Sequence, residues 1–275
     1  MKIREVIETI VENHPPLSRP DTVDVVKFGD PEKECTGVGI TCFASSDTIR
    51  RAAELGVNLL VVHEPLFFND RDNTDWLGND PVFKAKKKLL DETGIVIWRD
   101  HDHIHGGRPM KEGKPYMDGI FYGIMQELGW SEYLYKYPNM PLIYHIPETT
   151  GRELGNMLVK KLNLNGMRIV GDLDTKVRNV FICEHVMGRE MDYELMQITE
   201  SEEIDALIPL EIVDWSLSEY VRDSCQLGRP RILLEMGHFN FEELGMKYIT
   251  RWLPEKLGGT IPVYYIQSGD GFGYV

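Results

Sequence analysis

The run Asn58-Leu59-Leu60-Val61-Val62 leads directly into His63-Glu64-Pro65. The apolar stretch has the length and composition of a β-strand, and the proline prevents its simple continuation. The strand therefore ends on an imidazole and a carboxylate, two side chains able to bind metal. Within a regular strand, adjacent residues point to opposite faces, so His63 and Glu64 converge only if the backbone turns there.

Strand-like and helix-like segments alternate around this run. Ile3 to Val11 has helical spacing and is stopped by Pro15-Pro16. Gly37 to Phe43 reads as a strand, and Asp47 is the expected cap of a helix running toward Glu54. Asp80 caps a helix over Pro81 to Leu90, with proline at its permitted first position. Ile95 to Trp98 reads as the next strand, and Gly119 to Leu128 as a helix. Beyond a second start near residue 131, Thr150 and Glu153 form a capping box for a helix ending near Leu162. Asn179 to Cys183, the apolar run within Glu203 to Ile212, Ile232 to Leu234 and Pro262 to Ile266 are strand candidates. Helices follow Ser216 and run from about Phe241 to Leu253. This alternation predicts an α/β fold with helices covering a sheet. We expect two associated α/β lobes, residues 1–130 and 131–275, with a metal cleft between them.

At 275 residues and 42% apolar content, the chain can build one large core or two ordinary ones. Its net charge of −14 argues against general attraction to nucleic acid or an anionic membrane. No stretch approaches the roughly 20 apolar residues needed to span a bilayer. The basic start soon meets Glu5 and Glu8 and lacks the apolar region of a secretory signal. Cys35, Cys42, Cys183 and Cys225 are widely separated and form neither a paired zinc motif nor a disulfide framework. A cytoplasmic protein with reduced structural cysteines is expected.

Two further clusters extend the metal argument. His101, His103 and His105 alternate along His101-Asp102-His103-Ile104-His105, so in a strand they would share a face. His238 and Glu242 stand one helical turn apart. Each cluster also has an ordinary reading: a surface His–Glu pair, a core-edge hydrogen bond or a cavity-lining imidazole.

The three segments together resemble the dinuclear-metal-centre hexameric family, the GTP cyclohydrolase 1 type 2 homologues. Asn58 through Phe68 is similar to that family's strand followed by His-His-Pro-leucine. His101 to His105 is similar to its His-Thr-Asn-Leu-Asp segment, and Gly237 to Glu242 to its Gly-His-aromatic-any-Thr-Glu motif. The resemblance covers nearly the whole chain. It implies two divalent ions, with zinc, manganese and iron as candidates, held by His63, Glu64, His105, His238 and Glu242. Glu64 takes a usual histidine position and His105 a usual aspartate position, so the set keeps three imidazoles and two carboxylates. It also implies a homohexamer. Ile208-Pro209-Leu210-Glu211 looks like the counterpart of a Thr-Gly-Glu segment, and Cys183-Glu184-His185 replaces a glycine-rich turn, where His185 can recast a pocket.

Two ions could activate water and stabilise oxyanion charge, with His101, Asp102 or Glu211 positioning water or moving a proton. The expected activity is hydrolysis of a nucleotide-like or other phosphorylated small molecule. The alternative is a metal-binding hexameric assembly or regulatory protein with little turnover. There is no Gly-x-x-x-x-Gly-Lys-Ser/Thr loop; Arg99, Arg108 and Lys111 are the candidates for attracting phosphate.

Overall fold

A computed structural model describes residues 1–18, 20–109, 116–136 and 142–275, except the side chains of Arg108, Pro109 and Tyr116. The chain forms two compact units. One comprises Met1–Glu127 with Glu242–Ser268, the other Leu128–Phe241 with Gly269–Val275. Residues 242–268 thus return to the first unit, where a single boundary near residue 130 had been expected. The cause is visible in the pairing: strand Val263–Tyr265 lies parallel to Val38–Ile40 at the edge of the first unit's sheet.

That sheet runs in the order Val26–Phe28, Val96–Arg99, Leu59–Val62, Val38–Ile40, Val263–Tyr265. All neighbours are parallel except the first pair. The three central strands are buried throughout, which is why they read as continuous apolar runs rather than as alternating patterns. Helices Ser46–Glu54 and Pro81–Thr93 supply apolar side chains such as Ile49, Ala52 and Leu90 to a core with Leu60, Val62 and Ile97. Ser45, rather than Asp47, caps the first of these helices, since its backbone is extended and its hydroxyl accepts from Thr48 N at 3.1 Å. Asp47 sits in the first turn, where its charge favours the helix N-terminus.

The second unit's sheet has the order Leu134–Lys136, Leu142–Thr150, Lys176–Val186, Ala206–Ile212, Ile232–Glu235, Arg168–Gly171. Lys176–Val186, Ala206–Ile212 and Ile232–Glu235 are parallel, and their register sets His185 opposite Glu211. Phe181, Cys183, Leu207 and Leu233 pack with Leu217 and Val221 into its core. Helix Gly151–Leu162 starts on the expected capping box, with Thr150 Oγ1 accepting from Glu153 N at 3.2 Å. Helix His238–Lys256 begins three residues earlier than expected, and the division between the units falls within it. No helix among the described residues is long and apolar enough to cross a membrane.

Candidate metal centre

In both units chemistry-bearing residues lie at or just beyond the carboxyl ends of parallel strands, where an α/β sheet leaves a crevice. In the first unit, His63 follows strand Leu59–Val62 and His101 follows Val96–Arg99. The turn at His63 is fastened from several sides. The amides of His63 and Glu64 both donate to Cys42 O at 2.9 Å, and Arg99 Nε donates to His63 O at 2.8 Å. This double anchor lets the chain leave the strand before Pro65.

Arg99 is 1% exposed and also donates to Asp70 O at 2.6 Å, so it is a buried brace rather than the phosphate attractor expected from sequence. The other two basic candidates, the Arg108 side chain and Lys111, lie outside the described residues.

The His101–His105 segment is not a strand. Strand pairing ends at Arg99, and a short helix, Asp102–Gly106, follows. Asp24 explains the change: its carboxylate accepts from the amides of His101, Asp102 and His103 at 2.8, 2.9 and 2.7 Å. Capping three successive amides nucleates a helical turn. The helix then places His101 and His105, rather than all three histidines, beside His63. The three ring centroids lie 4.7–4.9 Å apart, and one donor atom from each ring falls within 4.8 Å of the others.

Each of these imidazoles has its Nδ1 engaged. His63 Nδ1 donates to Asp100 O at 2.9 Å, His101 Nδ1 meets Asp102 Oδ1 at 3.1 Å, and His105 Nδ1 meets Asp118 Oδ2 at 2.6 Å. Holding Nδ1 in this way orients the ring and assigns the lone pair to Nε2, as metal-binding histidines require. Burial pulls the His63 pKa down to about 3, so the ring stays neutral. His63 Nε2 is buried, forms no hydrogen bond among the described residues, and faces Glu242 Oε2 at 3.4 Å. That spacing is too long for a strong charge-assisted hydrogen bond but suits two donors sharing one ion. The donor set therefore fits a divalent metal. Glu64 is half-buried in the same unit.

An open cavity of about 600 Å³ is lined by Pro15, Pro16, Leu17, His101, Asp102 and His105, a size suited to a small metabolite. Asp102 is fixed at its edge, since its other oxygen accepts from Val23 N at 3.1 Å.

In the second unit, Glu211 bridges two histidines. Its oxygens lie 2.6 Å from His185 Nδ1 and 2.6 Å from His238 Nδ1. Burial alone would raise its pKa, but the two histidine hydrogen bonds hold it down to about 2. The hydrogen bond to Glu211 raises the pKa of His185. The structure thus brings Glu211 to His238 as an orienting carboxylate and adds His185 to the same group.

Sequence reasoning missed Asp24, Asp100 and Asp118 as partners of the histidines. Only Asp118 left a local signal: an aspartate just before a helix, where its Oδ1 accepts from Ile120 N at 2.9 Å. Asp100 is fully buried, and desolvation followed by the charge of Asp24 pushes its pKa well up. The Ile104 amide favours its ionised form, but only weakly.

Comparison with known proteins places this architecture. Residues 1–97 match the family model of Duf34/NIF3 (NGG1p interacting factor 3). The fold is shared over 100% of this chain and 99% of each neighbour by two solved structures. These are Staphylococcus aureus hypothetical protein SA1388, with a TM-score of 0.70 and 16% identity, and a Bacillus cereus protein related to NIF3, with 0.70 and 14%. The chain is an α/β protein that shares the fold of these NIF3-related structures. Over 286 residues, covering 100% of both chains, it is 23% identical to a Clostridium perfringens protein named GTP cyclohydrolase 1 type 2 homolog. The resemblance read from the motifs is thereby borne out as a similarity to a GTP cyclohydrolase 1 type 2 homolog and to NIF3-related proteins.

Proposed function

We propose that this protein is a divalent-metal-dependent hydrolase acting on a nucleotide-like or other phosphorylated small molecule. The observation that carries the reading is the His63 environment: a neutral, buried imidazole whose Nε2 has no hydrogen bond among the described residues and faces Glu242, beside two further imidazoles with oriented Nδ1 atoms. Following the resemblance, His63, Glu64, His105, His238 and Glu242 are the proposed ligands of two ions. Zinc, manganese and iron all suit mixed imidazole and carboxylate donors. Such ions, when bound, lower the pKa of water and neutralise charge developing on a phosphoryl or carbonyl oxygen. The protein's own groups supply the rest. Asp102 holds His101 at the cavity wall, where that imidazole can position a water or accept its proton. Glu211 holds His238 in one orientation. The resemblance also supports a homohexamer.

The test is a turnover screen of the metal-loaded chain, comparing nucleotide phosphate release, purine-ring opening and simple phosphoester cleavage. We expect metal-dependent turnover in one of these classes, with His63→Ala and His238→Ala each losing bound metal and about 10²-fold or more in rate. A fully metallated protein that turns over nothing in all three classes would instead be a metal-binding assembly or regulatory protein.

A further inference from the structure

A second group of donors lies in the first unit, apart from the five proposed ligands. Asp24, Asp100 and His103 each offer one ligand atom within 4.8 Å of the others. Asp24 is immobilised: besides three amides, it accepts from His103 Nδ1 at 2.7 Å, which orients that ring. Asp100 differs. Its side chain is 0% exposed, and neither carboxylate oxygen has a partner in good hydrogen-bond geometry among the described residues, the Ile104 amide acting on it only weakly. A buried carboxylate left in this state is costly unless a proton or a cation satisfies it. A proton on Asp100 would itself need an acceptor.

His14 stands beside Asp100. Its Nε2 lies 3.9 Å from Asp100 Oδ2, and its side chain is 1% exposed. This gap is too wide for a hydrogen bond. It matches two donors meeting on one ion, which stand roughly 3–4 Å apart when each bond is about 2.1 Å.

We propose that His14, Asp24, Asp100 and His103 form a separate, closed site for a structural divalent ion of the zinc and cobalt class. Asp100 and His14 are its direct ligands, and the Asp24–His103 pair completes the donor set. The same residue that ligates this ion through its carboxylate holds His63 Nδ1 through its carbonyl. The ion would therefore stiffen the support of the His63 ring without touching substrate.

Anomalous diffraction from crystals of the full chain saturated with cobalt tests this directly, because it needs no variant. A peak between Asp100 Oδ2 and His14 Nε2 is expected. Ordered water there without anomalous signal would overturn the proposal. Metal counting then separates this site from the proposed catalytic ions. The double variant His63→Ala/His238→Ala should retain one tightly bound equivalent at Asp100, whereas Asp100→Asn should lose one equivalent relative to the parent. An undiminished count in a folded Asp100→Asn chain would overturn the proposal. Peaks missing at His63 but present at Asp100 would fault only the hydrolase reading.

Discussion

Lys86 carries an ammonium into the first unit with only 5% exposure. It donates to Leu66 O at 2.7 Å and lies 5.2, 5.9 and 5.5 Å from the ring centroids of Phe43, Phe67 and Phe68. These contacts brace the segment just past His63-Glu64-Pro65. Burial still lowers its pKa from 10.5 to about 8. Below pH 8 both folded and unfolded chains hold the proton, and the folded chain bears the desolvation cost. Between pH 8 and 10.5 the unfolded chain binds more protons, so stability rises with pH. Relative to Lys86→Met, the parent should gain on the order of 1–3 kcal/mol across that window, measured by denaturant unfolding at several pH values. No change in the difference would refute the assignment. Among the proposed metal ligands the decisive pair is Glu64 and His105. Glu64→His alone should weaken metal binding, and addition of His105→Asp should restore it, because the donor inventory returns to three imidazoles and two carboxylates. Titration with zinc reads this directly; a double variant no tighter than the single one would mean the two positions do not compensate.

Among elements, the close approach of helices Gly119–Leu128 and His238–Lys256 rests on two glycines within the first unit. A Cβ on Gly123 would fall 2.7 Å from Gly245 O, and one on Gly245 would fall 2.7 Å from Ile120 O. Both obstacles are backbone, so Gly245→Ala should cost about 1–3 kcal/mol in thermal or denaturant unfolding. A neutral result would contradict this helix contact. The same helix carries Glu242 to His63, so the variant should also weaken metal binding. Legibility followed the strength of local signals. The capping box at Thr150 and the buried central strands could be read from sequence because local propensity and tertiary role agree there. Strand Arg168–Gly171 could not, since its residues are mostly exposed and show no apolar pattern. Strand Leu142–Thr150 was hidden by Pro147, which falls where its pairing with Lys176–Val186 shifts register. The helix over Asp102–Gly106 was not legible because its determinant, Asp24, lies 77 residues before His101.

For the whole molecule, the resemblance leads us to expect a closed homo-oligomer of six chains. Sedimentation or light scattering over a wide concentration range should report six chain masses, and a persistent monomer would refute this. Exposed apolar side chains such as Met187, Met191, Tyr193 and Trp215 are compatible with burial in an assembly.

By itself the sequence determined the α/β class, the strand that ends on His63, the helical turn joining His238 to Glu242, and the family resemblance. Each depends on residues within one element or one motif, where spacing and side-chain type are sufficient. Tertiary structure alone decided which groups surround the histidines. Asp24 turned a histidine run into a helix, Asp100 and Asp118 fixed the rings of His63 and His105, and Glu211 joined His185 to His238. It also returned residues 242–268 to the first unit. Such partners are separated by 13 to 79 residues. No local periodicity encodes them; they become neighbours only in the folded chain.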